Sequence, residues 1–419
     1  MKDTLFVNIG RIVGILPQGV RKLCGKDMGK VETLDNAYLL VKRGKIASFG
    51  PMSDVDEHNS RAVFLKKNDA ESIQVVDLSG KMLLPAFCDA HTHIVYAGDR
   101  QQEFVDKING LSYEEIAKRG GGILNSADLL HSTSEDELFR QASGRLEEMI
   151  SKGTLTMEIK SGYGLRTEDE LKMLRVIRRL KEKYPVTIKS TFLGAHAVGR
   201  EYAGRQDEYV DLVCNEMIPA VASENLADFV DVFCDEGFFT VEQTDRILKA
   251  GMKYGMRPKI HSNELAVSGG VQVGVKYNAV SVDHLEMTTD VEMEVLRHSD
   301  TMPLMLPGAS FFLGMPYGRA KDYVRTGLPV ALASDCNPGS SPSCDMRFVM
   351  ALGCIKMRLT PEESFNACTI NATCAMGCED VAGSVTVGKK AAFIVTNKVM
   401  ELGFIPYFHH TPFIDRVLA

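Results

Sequence analysis

The chain has 419 residues, 45% of them hydrophobic and 25% charged, with a formal net charge of −7. That length holds a barrel of about 250 residues together with a smaller second unit, and a core of that size needs no disulfide staples. The acidic balance excludes nucleic acid and anionic membrane as general partners, and no run of about 18 apolar residues is present to span a bilayer.

The opening MKDTLFVNIG lacks the apolar stretch of a secretory signal, so a cytoplasmic location is expected. The first eighty residues read as β-rich. LFVNIG, AYLLVKRGKIASFG and QVVDLSG alternate apolar residues with turn formers, and Arg43-Gly44 sits where a hairpin turn belongs. From about residue 81 apolar strands alternate with amphipathic helices, the pattern of a parallel α/β architecture. Eight strands are predicted: MLLPAFCDAH (82–91), TLTMEIK (154–160), TIKSTFLG (187–194), FVDVFCD (229–235), PKIH (258–261), AVSVDH (279–284), TMPLML (301–306) and PVALASD (329–335). Helices are expected over 134–151, 167–184 and 240–255, and Thr167 followed by Glu170 has the spacing of a capping box. Eight such alternations predict a (β/α)8 TIM-like barrel. After about residue 382, GSVTVGKKAAFIVTN reads as strand, glycine turn and strand, and the simplest arrangement returns this tail to the N-terminal β-region. The expected division is a small β-sandwich domain built from 1–80 and 382–419, flanking a barrel over 81–381. The ten cysteines include no CxxC pair and read as buried reduced thiols.

The segment DAHTH (89–93) carries the first chemical signal. Residues i and i+2 of a strand face the same side, so His91 and His93 aim two imidazoles at one point at a strand's C-terminal end. Barrel enzymes place their chemistry at that end. One HxH alone would pass as a pair of structural histidines, but other strand ends add to it: His261 closes the fifth strand, His284 the sixth and Asp335 the eighth. Nitrogen and oxygen ligands of this kind suit zinc or non-haem iron. Such an ion lowers the pKa of bound water from ~15.7 to roughly 7, on the order of 12 kcal/mol of help in making hydroxide. A proton acceptor must stand beside that water. Asp335 could be both ligand and acceptor, and Glu264, three residues beyond His261, is the other candidate.

DAHTHIVYAGDR (89–100), YEEIAKRGGGI (113–123), EIKSGYGL (158–165), TFLGAHAV (191–198) and SDCNPGSSP (334–342) make the chain resemble the imidazolonepropionase family of the amidohydrolase superfamily over nearly its whole length. The resemblance implies hydrolysis of the ring amide of 4-imidazolone-5-propanoate to N-formimidoyl-L-glutamate, in histidine degradation. It implies one Zn(2+) or Fe(3+) per subunit held by His91, His93, His261 and Asp335. By the same resemblance Glu264 positions or activates water and His284 polarises the substrate carbonyl. Arg100, Tyr163 and His196 then contact the substrate, Asn337, Gly339 and Ser340 form a loop against substrate or product, and the enzyme is a homodimer. Superfamily members with two metals carry a modified lysine on the fourth strand. FVDVFCDEG has none, so a single ion is expected. The chain departs from the family pattern at Ser262, Asn263 and Cys336. The segment RGGGI (119–123) could bring backbone amides or a mobile lid to the ligand. Two rivals stand beside this reading: another cyclic-amide or purine-deaminating amidohydrolase, and a metal-binding barrel without catalysis.

Overall fold

A computed structural model describes residues 2–55, 73–111 and 121–419 of the chain. β1 (Thr4–Ile15), β2 (Glu32–Lys42) and β3 (Lys45–Pro51) form an antiparallel meander. Arg43 and Gly44, with φ of 50° and 72°, make the tight turn between β2 and β3. Positive φ at both central residues matches the right-handed twist of the flanking strands. β4 (Gln74–Asp77) and β5 (Met82–Pro85) run parallel to β1.

The predicted first barrel strand is in fact divided. β5 ends at Pro85, and the barrel begins with β6 (Phe87–Asp89). The two pair with different neighbours, β5 in the small sheet and β6 with β7 (Thr154–Lys160). The remaining barrel strands are β8 (Thr187–Ala195), β9 (Phe229–Cys234), β10 (Arg257–Pro258), β11 (Ile260–Ser262), β12 (Ser281–His284), β13 (Met302–Met305) and β14 (Ala331–Leu332). They lie in the parallel order β6-β7-β8-β9-β11-β12-β13-β14, with β10 and β11 both on β9 as one strand broken at Lys259. Past the strand ends the ring is drawn together: the Asp335 N–H donates to the His91 carbonyl at 3.0 Å and the His93 N–H to the Cys336 carbonyl at 2.9 Å. These are the eight alternations expected of the barrel, and they carry the first and last candidate ligand segments to one place.

Amphipathic helices cover the barrel. Glu135–Ser151 starts at Ser134, whose hydroxyl accepts from the Glu137 N–H at 3.2 Å, and Val241–Lys253 starts in a Thr240–Gln243 capping box. Helix Thr167–Lys183 does not begin as expected: its cap is Arg166, with no side-chain bond to the first turn. Thr167 donates to Glu216, while Glu170 turns back into the preceding loop. The tail returns to the small sheet. β15 (Phe393–Thr396) pairs antiparallel with β5, and β16 (Ile414–Leu418) with β15. The strand expected before it survives only as an isolated bridge between Ile15 and Val385. Alternation in β1 and β2 splits the sheet's apolar residues, with Phe6, Ile9 and Leu39 in one cluster and Leu5, Tyr38 and Leu40 in another. All ten cysteines are free.

Candidate metal centre

His91 and His93 follow β6, and their Nε2 atoms lie 3.2 Å apart. Two ligands on one tetrahedral ion at about 2.0–2.1 Å stand roughly 3.3 Å apart, so the spacing fits a shared ion. Donor atoms of His91, His93 and His261 all lie within 4.8 Å of one another. Asp335 Oδ1 is 3.6 Å from His91 Nε2 and 3.5 Å from His93 Nε2. His261 Nε2 is buried with no hydrogen-bond partner, which an ion at this point would supply. Burial lowers the pKa of His91, His93 and His261, the last to about 3, so all three are neutral and have lone pairs to give. Asp283 Oδ2 lies 2.7 Å from His91 Nδ1 and Asp231 Oδ2 lies 3.0 Å from His261 Nδ1. The first is a hydrogen bond to an acceptor-only carboxylate, which places the His91 proton on Nδ1 and leaves its Nε2 facing the ion; the second is a charge contact that sets Asp231 against the far side of the His261 ring.

His284, the last residue of β12, sits beside this group, its ring 5.6 Å from that of His91. Burial opposes charge on it, yet Glu264 and Glu286, each with an oxygen 3.6 Å from its Nδ1, hold its pKa raised at about 10. Burial pushes the carboxyls of Glu264 and Asp335 up. The backbone is strained here. His284, Leu285, Asn263 and Asp335 have φ of 84°, 70°, 58° and 53°, a region that side-chain-bearing residues rarely enter and that clusters at functional sites.

Tyr163 and His196 form the wall beyond His93. His196 stacks on His93 at 5.2 Å between ring centres, and Tyr163 is 5.9 Å from His93. Glu170 explains how Tyr163 is presented: its carboxylate accepts from the N–H groups of Gly162, Gly164 and Leu165 at 3.1, 2.7 and 3.0 Å. Gly162 has φ of 111°, and a Cβ there would come within 3.0 Å of His196 Nδ1, so the turn requires glycine. Arg100 is not a free surface arginine. Its Nε and Nη2 donate to Glu103 at 2.9 and 2.6 Å, and its Nη1 packs on Gly339. Asn337 spends its amide on its own loop, donating to the Asp335 carbonyl and Ser340 Oγ at 2.7 Å and accepting from the N–H groups of Gly339 and Ser340 at 2.8 Å. It therefore shapes the loop, and Ser340 Oγ in turn donates to Asp335 Oδ2 at 3.3 Å. Most of YEEIAKRGGGI lies outside the described residues. Gly122, within them, donates its N–H to Glu103 at 3.0 Å.

The sequence reasoning missed Asp231, Asp283 and Glu286, and beneath them Glu158, Lys160 and Lys259. A signal was available. Strands of a parallel barrel are buried on both faces and read as apolar, so the charged residues inside TLTMEIK, FVDVFCD, PKIH and AVSVDH needed a reason to be there. His261 and His284 drew attention while Lys259 and Asp283, two and one residues before them, did not.

Residues 82–413 match the sequence profile of the amidohydrolase family. The chain is 48% identical to the imidazolonepropionase of Flavobacterium johnsoniae over 99% of this chain and 98% of that protein. It is 49% identical to the imidazolonepropionase of Christiangramia forsetii, again over 99% and 98%. Among solved structures, an adenosine deaminase from Xanthomonas campestris with bound zinc superposes with a TM-score of 0.64 at 14% identity, covering all of this chain and 91% of that one. That likeness is one of fold.

Proposed function

Because the chain belongs to the amidohydrolase family, among its imidazolonepropionases, we propose that His91, His93, His261 and Asp335 hold one metal ion at the barrel mouth and that Glu264, His284 and Asp335 manage the protons of the reaction. That reaction is hydrolysis of the ring amide of 4-imidazolone-5-propanoate to N-formimidoyl-L-glutamate, a cyclic-amide C–N cleavage in histidine degradation. Zinc(II) or iron(III), when bound, polarises a carbonyl and lowers the pKa of water from about 15.7 to roughly 7. Asp335, with Oδ1 toward the two histidines and Oδ2 held by Ser340, accepts the proton of the attacking water and returns it to the leaving ring nitrogen. His284, kept charged by Glu264 and Glu286, donates to the ring carbonyl oxygen as negative charge gathers there. Arg100 takes the propionate with the guanidinium edge that Glu103 leaves free, and Tyr163 and His196 flank the ring. Gly339 and Ser340 stand beside them, the first against Arg100 and the second bonded to Asp335.

The observation that carries the metal assignment is the 3.2 Å approach of two buried Nε2 atoms with Asp335 Oδ1 at 3.5–3.6 Å from both. Two like-polarity lone pairs so close are stable only around a shared proton or cation. The same proposal takes the enzyme as a cytoplasmic homodimer; among the described residues no helix is long and apolar enough to cross a membrane. Metal analysis of purified protein, with turnover of imidazolonepropionate, a hydantoin and guanine, is the test. The expected result is one ion per chain and activity confined to imidazolonepropionate. Substoichiometric metal in active protein would overturn the ligand assignment.

A further inference from the structure

We infer that Lys160 is a positioning residue for the metal ligands, acting through Asp231 and Asp283 to orient His261 and His91. The inference rests on the metal reading above. Lys160, Lys259, Glu158, Asp231 and Asp283 are all fully buried inside the barrel, beneath the histidines. Lys160 Nζ donates to Glu158 and Asp231 at 2.8 Å each and lies 3.6 Å from Asp283 Oδ2. Lys259 Nζ donates to Glu158 at 2.9 Å and to the Ala90 carbonyl at 2.9 Å, and is 3.6 Å from the same Asp283 oxygen. One ammonium group thus reaches both carboxylates that back a candidate metal ligand, Asp283 at 2.7 Å from His91 and Asp231 at 3.0 Å from His261.

Stability does not account for this arrangement. Burying ions costs several kcal/mol each, and buried ion clusters are often replaced by apolar residues with no loss. Five charges in a barrel interior call for another role, and their placement supplies it. A carboxylate fixes a ligand histidine's tautomer and ring angle only if the carboxylate is itself held. Asp231 has its other oxygen on the N–H groups of Val232 and His261, at 2.7 and 3.2 Å. Its Oδ2 is shared between Lys160 and the His261 ring. Asp283 Oδ2 likewise faces Lys160, Lys259 and the His91 ring. Among the described residues, Glu158, Asp283 and His91 also gather as if round a cation, and the two lysine ammonium groups already serve that space.

The test measures zinc affinity by competition with a chromophoric chelator, with the visible spectrum of the cobalt(II)-loaded protein as a second readout. Lys160→Met should weaken zinc binding at least tenfold, within the 10- to 100-fold range typical of outer partners of metal ligands, and shift the cobalt bands. Glu158→Gln/Lys160→Met removes one charge of each sign, so the core keeps its balance even where the single variant fails to fold. It should stay at least tenfold weak. Wild-type affinity and spectrum in Lys160→Met would overturn the inference, as would recovery of both in the double variant, which would reduce Lys160 to charge balance. Failure of the wild-type chain to bind one zinc would instead sink the metal reading, and this inference with it.

Discussion

Gly339→Ala puts a methyl group into the guanidinium of Arg100. A Cβ at 339 overlaps Nη1 and comes within 2.9 Å of Nη2. Arg100 cannot simply retreat, because Glu103 holds its Nε and Nη2 and both side chains are about nine-tenths buried. The guanidinium must tilt, and the edge proposed to take the propionate tilts with it. A hydrogen bond to a charged group is worth about 1.5–3 kcal/mol, so kcat/KM should fall about 10- to 150-fold. The contact lies far from the bond that breaks, so the loss should fall mainly on KM. Steady-state kinetics on imidazolonepropionate and on an imidazolone lacking the carboxylate would separate the causes, since the truncated substrate should show no loss. Gly29→Ala, with nothing within 4 Å of its Cβ position, is the control. An unchanged KM in Gly339→Ala, or an equal loss on both substrates, refutes the carboxylate clamp.

Chelation should abolish turnover and lower the melting temperature, and one equivalent of zinc should restore both; a ligand at 100 times its Kd adds about 2.7 kcal/mol. Asp335→Asn should cut kcat by roughly 10²- to 10⁴-fold if it removes the proposed general base, read by single-turnover kinetics with metal content matched to wild type. His284 has a folded-state pKa raised from 6.5 to about 10, so the stabilisation tied to its charge is complete below pH 6.5 and is lost as pH rises through about 10. Turnover should decline along the same alkaline limb, and His284→Gln should remove that limb while lowering activity at neutral pH. Glu170→Ala leaves three buried N–H groups of the Tyr163 turn without an acceptor. At about 1–3 kcal/mol for each orphaned group, urea denaturation should show a loss of about 3 kcal/mol or more.

Much of the architecture was legible because strands and helices bury their apolar residues with different periods. TLTMEIK and TIKSTFLG stand as β7 and β8, and the helix pattern over 134–151 gives Glu135–Ser151. The division at Ala86 was not legible, since MLLPAFCDAH is continuously apolar whichever sheet it serves. Thr167 and Glu170 have the right spacing for a cap, but spacing does not say which N–H groups are orphaned, and those of the Tyr163 turn won. At the candidate site, residues of distinctive chemistry at strand ends were readable one by one. The lysines and acids beneath them were not, because a charge in a strand acquires meaning only from partners on other strands: Lys160 and Asp231 are 71 residues apart and Lys259 and Glu158 are 101.

The seam at Ala86 also sets an order of events during synthesis. β5 is flanked by β1 on one side and by β15 on the other, and it runs through one residue into β6, which leads to His91 and His93. As the ribosome releases the chain, the outer edge of β5 stays unpaired until residue 393 has emerged. An open strand edge invites pairing with another chain, and such long-range closures are slow. The outer edge of the strand leading to the first two imidazoles is therefore among the last to be covered, and a nascent chain stalled before its final segment would expose a sticky edge beside the barrel.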